Sequence, residues 1–311
     1  MFKTLDFKPL PGFSSPHLQM IFANYGPRGK EPPSKSTLIK LSDGDVLSCE
    51  VSTPAKWSEG SRTIIMVHGV GGSHQSPYMI RLSRKFFAAG NRVVRINLRG
   101  AGSGEGLNNK PYNCGTSHDV WEVVKFLKNE TPKTKINVLG FSLGGSVALK
   151  MGGELGEEAN EHIDRIMAVC PVLDLIHTVK KISLKSNWIY HQYYLKKVLE
   201  QGRRWVGDKV IPTLKAFDDH VTAPLWGYED ADDYYRRCSS FQFIPSIKVP
   251  CKILLAADDP FIDPHALHDV QLPSNAHIWV TSHGGHMGYI GWGNNQQGPY
   301  WMDKQLMEWN H

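Results

Sequence analysis

The 311-residue chain is poor in cysteine, in clustered charge and in long apolar runs. Its five cysteines, Cys49, Cys114, Cys170, Cys238 and Cys251, are odd in number and widely spaced. No C-x-x-C pair occurs, which excludes a zinc knuckle and a thioredoxin-type redox motif. A chain of this length buries a large core without covalent staples, so no disulfide framework is expected and the thiols suit a reducing compartment. Cys170 and Cys251 sit in apolar runs and read as core thiols. No run of about 18 apolar residues exists, so no membrane span is expected. The first residues carry prolines at 9, 11 and 16 and no apolar stretch of signal-peptide length. A cytoplasmic location is expected, with peripheral membrane contact left open. Net charge is +5, with the basic residues dispersed along the chain. That argues against a nucleic-acid face and for a solvated basic surface. Internal repeats and low-complexity segments are absent as well. Nothing in the sequence specifies an oligomeric state.

What is present is an alternation of short apolar runs with helical patterns. Residues 63–67, 92–98, 136–140, 166–170, 251–257 and 277–281 read as strands. Their nearly continuous apolar character is what parallel strands covered on both faces require. Between them, Val120, Val123, Val124 and Leu127 follow helical spacing, with Thr116 or Ser117 placed to cap. Met302, Leu306 and Trp309 mark a closing helix. Residues 37–52 read as an opening hairpin about Ser42-Asp43-Gly44-Asp45. The order predicts an α/β fold, a mostly parallel, doubly wound sheet, over residues 1–311 as one domain. Some 75 residues between Val172 and Val249 carry no strand signal, far beyond a usual connection. This interval, 174–248, is rich in Trp and Tyr and is expected to form a helical cap over the sheet's C-terminal edge, where ligands bind in open α/β sheets.

Gly140-Phe141-Ser142-Leu143-Gly144 falls between a strand and a helical pattern. This is the sequence of a nucleophile elbow, which holds a serine hydroxyl at the sheet edge. Glycines two before and two after the serine are needed because side chains there would collide. His68-Gly69-Val70-Gly71-Gly72-Ser73 ends another strand and is loose enough to bring backbone N–H groups toward a ligand. The N–H groups of Val70 and Leu143 are therefore the expected oxyanion hole. His68 is expected to shape that loop rather than act as a base. A serine nucleophile needs a neutral imidazole, oriented by a carboxylate, with chain order Ser, then acid, then His. Asp258-Asp259-Pro260-Phe261 and His283-Gly284-Gly285-His286-Met287-Gly288 follow the last two strands in that order. His286, set among glycines, is preferred to His283. Asp259 is preferred as the acid, with Asp258 as the alternative. Histidine pairs 283/286 and 265/268 lack a carboxylate set, so no metal is expected. Arg99-Gly100-Ala101-Gly102-Ser103-Gly104 lacks the helix start and distal acid of a dinucleotide site and reads as a loop shaping the site's floor.

Taken together these residues resemble the α/β-hydrolase superfamily, and within it the YheT-like branch related to the abhydrolase-domain esterases and lipases. The resemblance spans most of the chain. It rests on Pro16-His17-Leu18-Gln19, His68 to Ser73, Asn97-Leu98-Arg99-Gly100 and Gly140 to Gly145. Phe217-Asp218-Asp219, Thr222-Ala223-Pro224, Gly227-Tyr228, Asp233-Tyr234-Tyr235, Ala257 to Phe261 and Gly284 to Tyr289 complete it. Met20 stands where Thr would be expected. The resemblance implies a triad of Ser142, Asp259 and His286, no cofactor, and hydrolysis of a small-molecule acyl ester of short to medium chain. A lipid-directed hydrolase, acting on a glycerolipid or phospholipid ester, is the alternative. A non-catalytic ligand-binding relative is the third reading. Trp188, Tyr190, Tyr193, Tyr194, Trp205, Trp226 and Tyr228 of the cap are expected in part to line an acyl pocket.

Overall fold

A computed structural model describes residues 2–292 and 299–310. The strands are β1 Phe2–Thr4, β2 Lys35–Lys40, β3 Val46–Ser52, β4 Arg62–Val67, β5 Arg92–Asn97, β6 Lys135–Phe141, β7 Arg165–Val169, β8 Cys251–Ala256 and β9 Ala276–Thr281. They form one sheet in the order β1-β9-β8-β7-β6-β4-β5-β3-β2. β2 and β3 pair antiparallel, as does β3 with β5, and every other pairing is parallel. All six runs read as buried strands are strands of this sheet, and the opening hairpin forms as expected. β4 shows why: Ile64 and Met66 face one side and Ile65 and Val67 the other, and all four are fully buried. The period of two therefore fills two cores at once.

The helices are α1 Pro16–Tyr25, α2 Pro77–Ala88, α3 Ser117–Glu130, α4 Leu143–Leu155, α5 Ala159–His162, α6 Leu175–Ile182, α7 Trp188–Val206, α8 Leu214–Phe217, α9 Ala223–Trp226, α10 Ala231–Cys238 and α11 Trp301–Trp309. Met79, Leu82 and Phe86 of α2 and Met302, Leu306 and Trp309 of α11 pack on one face of the sheet. Val120, Val123, Val124 and Leu127 of α3 and Val147, Ala148 and Met151 of α4 pack on the other. Each fully buried side chain of this size contributes roughly 1.5–3 kcal/mol. α6 to α10 occupy the strand-free interval. They carry a small core of their own, with Leu195, Val206, Ile211, Phe217 and Val221 buried.

One local reading is corrected and two are extended. Neither Thr116 nor Ser117 caps α3 through its side chain: the Thr116 hydroxyl donates to the Asn113 carbonyl and that of Ser117 to Glu154. The Arg99 loop does more than shape a floor. Arg99 is 3% exposed and donates to Asp119 at 2.6 Å and to Asp43 and Asp45 at 2.7 Å, tying the hairpin turn to α3. The N-terminal segment, read only for its prolines and a motif, contributes β1 at the sheet edge and α1 beside the loop that follows β9.

Candidate active site

Ser142 is the one residue between β6 and α4, with φ 50° and ψ −120°. Holding a non-glycine residue there costs on the order of 1–3 kcal/mol, and the surrounding contacts enforce it. A Cβ on Gly140 would lie 2.2 Å from the Gly144 carbonyl oxygen, and one on Gly144 would lie 2.3 Å from that of Val67. No side chain fits at either position, so the two glycines let strand, turn and helix close on one another.

The loop after β9 brings His286 to this turn. Its Nε2 lies 2.9 Å from Ser142 Oγ, and its Nδ1 lies 2.8 Å from Asp259 Oδ2. Asp259 stands after β8, and its Oδ1 accepts the N–H groups of Phe261 at 2.8 Å and Ile262 at 3.0 Å. The second oxygen is thereby aimed at the imidazole. A carboxylate at Nδ1 favours the tautomer with its proton there, which leaves Nε2 as the acceptor facing the hydroxyl. Asp258 points elsewhere. Its Oδ1 accepts the Gly285 N–H at 2.8 Å, so it anchors the loop that carries His286. Burial holds the Asp258 carboxyl above the usual carboxylate range. The imidazole of His283 is paired with the Ser282 hydroxyl. The His286 loop is sharply bent, with positive φ at Gly284, Gly285, Met287 and Tyr289. Ser142 and His286 are 7% and 9% exposed, so the pair stands in surroundings poor in water.

The loop after β4 approaches the same serine: a Cβ on Gly69 would lie 3.1 Å from that of Ser142. The Gly69 N–H donates to the Tyr78 hydroxyl at 2.9 Å and the Gly71 N–H to that of Tyr112 at 2.7 Å. The Val70 N–H lies between these two engaged groups. The Leu143 N–H opens α4, where a helix has no internal acceptor for it. His68 stays within the loop. Its Nδ1 pairs with the Gly69 carbonyl at 2.7 Å and its Nε2 accepts the Leu98 N–H at 3.1 Å. Burial pushes its pKa down to about 4, which keeps the ring neutral. Tyr78 and Tyr112 were missed in the sequence because no motif marks them; only the fold brings their hydroxyls to the glycine loop. Cys170 was read as core and is buried, with φ 43° and its thiol 3.6 Å from the Tyr289 hydroxyl. Its sulfur, an Asp259 oxygen and a His286 nitrogen lie within 4.8 Å of one another, a spacing that suits a metal ion. Both ring nitrogens of His286 are already engaged in hydrogen bonds.

A cavity of about 120 Å³ begins at Val70 and Leu143 and runs beneath α6, α7 and α8. Val172, Leu175, Val179, Ile182, Leu214 and Phe217 give it an apolar wall. Of the seven aromatic residues expected in part to supply this lining, Trp205 does so. Trp226 instead donates to the Pro111 carbonyl, Tyr228 pairs with the Cys238 thiol, and Trp188 faces solvent at 61% exposure. Tyr190 and Tyr194 stack edge-on against Phe261, which stacks edge-on against His286. Asp218 also borders the cavity, and burial raises its pKa to about 6 against the donors Thr222 and Tyr235.

The comparisons with known proteins agree with this architecture. YheT of Escherichia coli (strain K12), provisionally named an esterase, is 26% identical over 98% of this chain and 92% of its own length. A mouse (Mus musculus) phospholipase, ABHD3, is 25% identical over 82% of this chain and 66% of its own. Among solved structures, the Pyrococcus furiosus esterase Pf2001 superposes with a TM-score of 0.60 at 19% identity, covering 99% of this chain and 97% of its own. Residues 62–218 match the family model described as the alpha/beta hydrolase fold. The chain therefore belongs to the α/β-hydrolase family, in its esterase- and lipase-like part with YheT.

Proposed function

We propose that the protein is a serine carboxylic-ester hydrolase acting on short- to medium-chain acyl esters. The observation that carries this reading is the relay of 2.9 and 2.8 Å from Ser142 through His286 to Asp259. In this reading His286 Nε2 takes the Ser142 proton as Oγ attacks the ester carbonyl carbon. The N–H groups of Val70 and Leu143 hold the oxyanion, in a site dry enough to strengthen both hydrogen bonds. The imidazolium, stabilised by Asp259, then protonates the leaving alcohol. Water enters, gives its proton to His286, attacks the acyl carbon and releases the acid, restoring Ser142. α6 to α10 act as the cap, and the apolar cavity beneath them receives the acyl chain. Its 120 Å³ approaches the roughly 150 Å³ that accommodates a benzene, which favours short chains.

The experiment is a series of p-nitrophenyl esters from acetate to palmitate. Hydrolysis peaking below the long-chain esters is expected, with Ser142→Ala lowering kcat at least about 10⁴-fold at unchanged fold. Equal turnover by wild type and Ser142→Ala would overturn the reading. The lipid-directed alternative shares the relay and is favoured by the lipid-hydrolase name of the mouse relative. Faster turnover of phospholipid in vesicles than of any soluble ester would select it.

A further inference from the structure

The outer surfaces of α1 and the first turns of α7 take no part in the relay, yet both helices rest on the loops that carry it. A Cβ on Gly285 would lie 2.8 Å from the Pro16 carbonyl, and the Gln19 side chain accepts the Ile290 N–H at 3.0 Å. Asn187 donates to the Pro260 carbonyl at 3.3 Å, and Tyr190 stacks on Phe261. The two helices meet where His17 stacks on Tyr190, with Nδ1 2.6 Å from its hydroxyl. Their free faces are apolar. Leu18, Ile21 and Tyr25 of α1 are 48%, 51% and 75% exposed. Trp188, Ile189 and Tyr193 of α7 are 61%, 73% and 39% exposed. Scattered exposed apolar residues need no explanation; six on two touching elements beside one site form a patch, and such patches mark interaction surfaces.

Charge selects the partner. Helix α1 has no Asp, Glu, Lys or Arg. Around α6 and α7, Lys181 pairs with Asp263 and Lys196 and Lys197 pair with Glu200, which leaves Lys180 and Lys185, among the described residues, as the cations without an ion pair beside the start of α7. Lys180 lies in the last turn of α6 and Lys185 in the turn that leads into Trp188, and both are exposed. A protein partner with an acidic groove would match the lysines. Exposed Trp, Tyr, Ile and Leu with exposed lysine nearby match the headgroup and upper acyl region of an anionic bilayer more closely. We propose that α1 and the start of α7 form a docking surface for anionic phospholipid membranes, set around the mouth of the Ser142 site. The proposal rests on the esterase reading only for its purpose: a docked enzyme would take ester substrate from the membrane surface. Docking itself requires no catalysis.

The test is co-sedimentation of the full chain with vesicles of phosphatidylcholine alone and of phosphatidylcholine mixed with phosphatidylglycerol. At low salt, binding to the anionic vesicles is expected to exceed that to the neutral ones by about tenfold or more, and to fall as salt rises. Ser142→Ala is expected to bind as wild type does. The double variant Trp188→Ser/Ile189→Ser should lose about tenfold in binding, and Lys180→Glu/Lys185→Glu should lose the anionic preference. Both should keep kcat/KM on soluble p-nitrophenyl esters within about twofold, a control that also reports folding. Equal binding to both vesicle types, or binding undiminished in the two double variants, would overturn the proposal. So would a vesicle-free dimer that Trp188→Ser/Ile189→Ser dissolves, because a second copy would then occupy the face. Absent docking with intact Ser142-dependent hydrolysis would remove this proposal and leave the esterase reading standing.

Discussion

At positions 258 and 259 two adjacent carboxylates have been given different work by two hydrogen bonds. Pro260 turns the chain so that the Phe261 and Ile262 N–H groups converge on one oxygen of Asp259 and leave the other facing His286. Asp258 meets the Gly285 N–H instead. Asp259→Asn therefore presents a donor or a weak acceptor to His286 Nδ1, disfavouring the needed tautomer. Its kcat on soluble esters should fall by about 10⁴. Asp258→Asn keeps an acceptor oxygen for Gly285, so its loss should stay within about tenfold. Equal losses in the two variants, measured by steady-state kinetics, would contradict the division of labour. The order Asp-Pro-aromatic-aliphatic favours Asp259, and the geometry sets that carboxylate against His286. The contact made by Asp258 is not legible in the sequence, because it depends on a loop 27 residues further along the chain. Tyr78 and Tyr112 were illegible for the same reason: each acts through a hydroxyl on an amide of the glycine loop, and no local pattern encodes that meeting.

Among the elements, the parallel strands β4 to β9 were readable because burial on both faces leaves a nearly unbroken apolar run. β1 has three residues, too few for any period to show. In α1 the buried residue is Gln19, while Leu18 and Ile21 face outward, so the apolar spacing does not describe a core-facing helix. The same inversion is what exposes the proposed docking face. The interval from α6 to α10 was recognised by what it lacked. Of its aromatic set only Trp205 reaches the lining, and aliphatic side chains from α6 and α8 supply most of the rest. Arg99 joins elements that the sequence keeps far apart. It neutralises Asp119 and Asp45, which are 2% and 3% exposed, and Asp43 at the hairpin turn. Arg99→Met would strand those buried carboxylates. Urea unfolding should show a loss of about 3–5 kcal/mol, and a loss below about 1 kcal/mol would show the cluster to be solvated instead.

For the molecule as a whole, two buried groups oppose one another in acid. His68 has its pKa lowered from 6.5 to about 4 by burial, so the folded state binds fewer protons than the unfolded chain between those values. Its contribution to stability is lost as pH falls through that window. Asp218 has its pKa raised by burial from 3.8 to about 6, so the folded state there binds more protons, and stability is gained as pH falls. Relative to wild type, Asp218→Asn should become progressively less stable from pH 6 to 4, and His68→Gln progressively more stable from pH 6.5 to 4. Each difference should reach about 2–3 kcal/mol in denaturant titrations across that range. Differences that do not change with pH would contradict both assignments. The central claim, however, concerns a single oxygen atom. Labelling with a fluorophosphonate followed by peptide mapping addresses it directly. One adduct on Ser142 is expected, absent in Ser142→Ala and suppressed in His286→Ala. An adduct on any other residue, or equal labelling of the Ser142→Ala protein, would contradict the account.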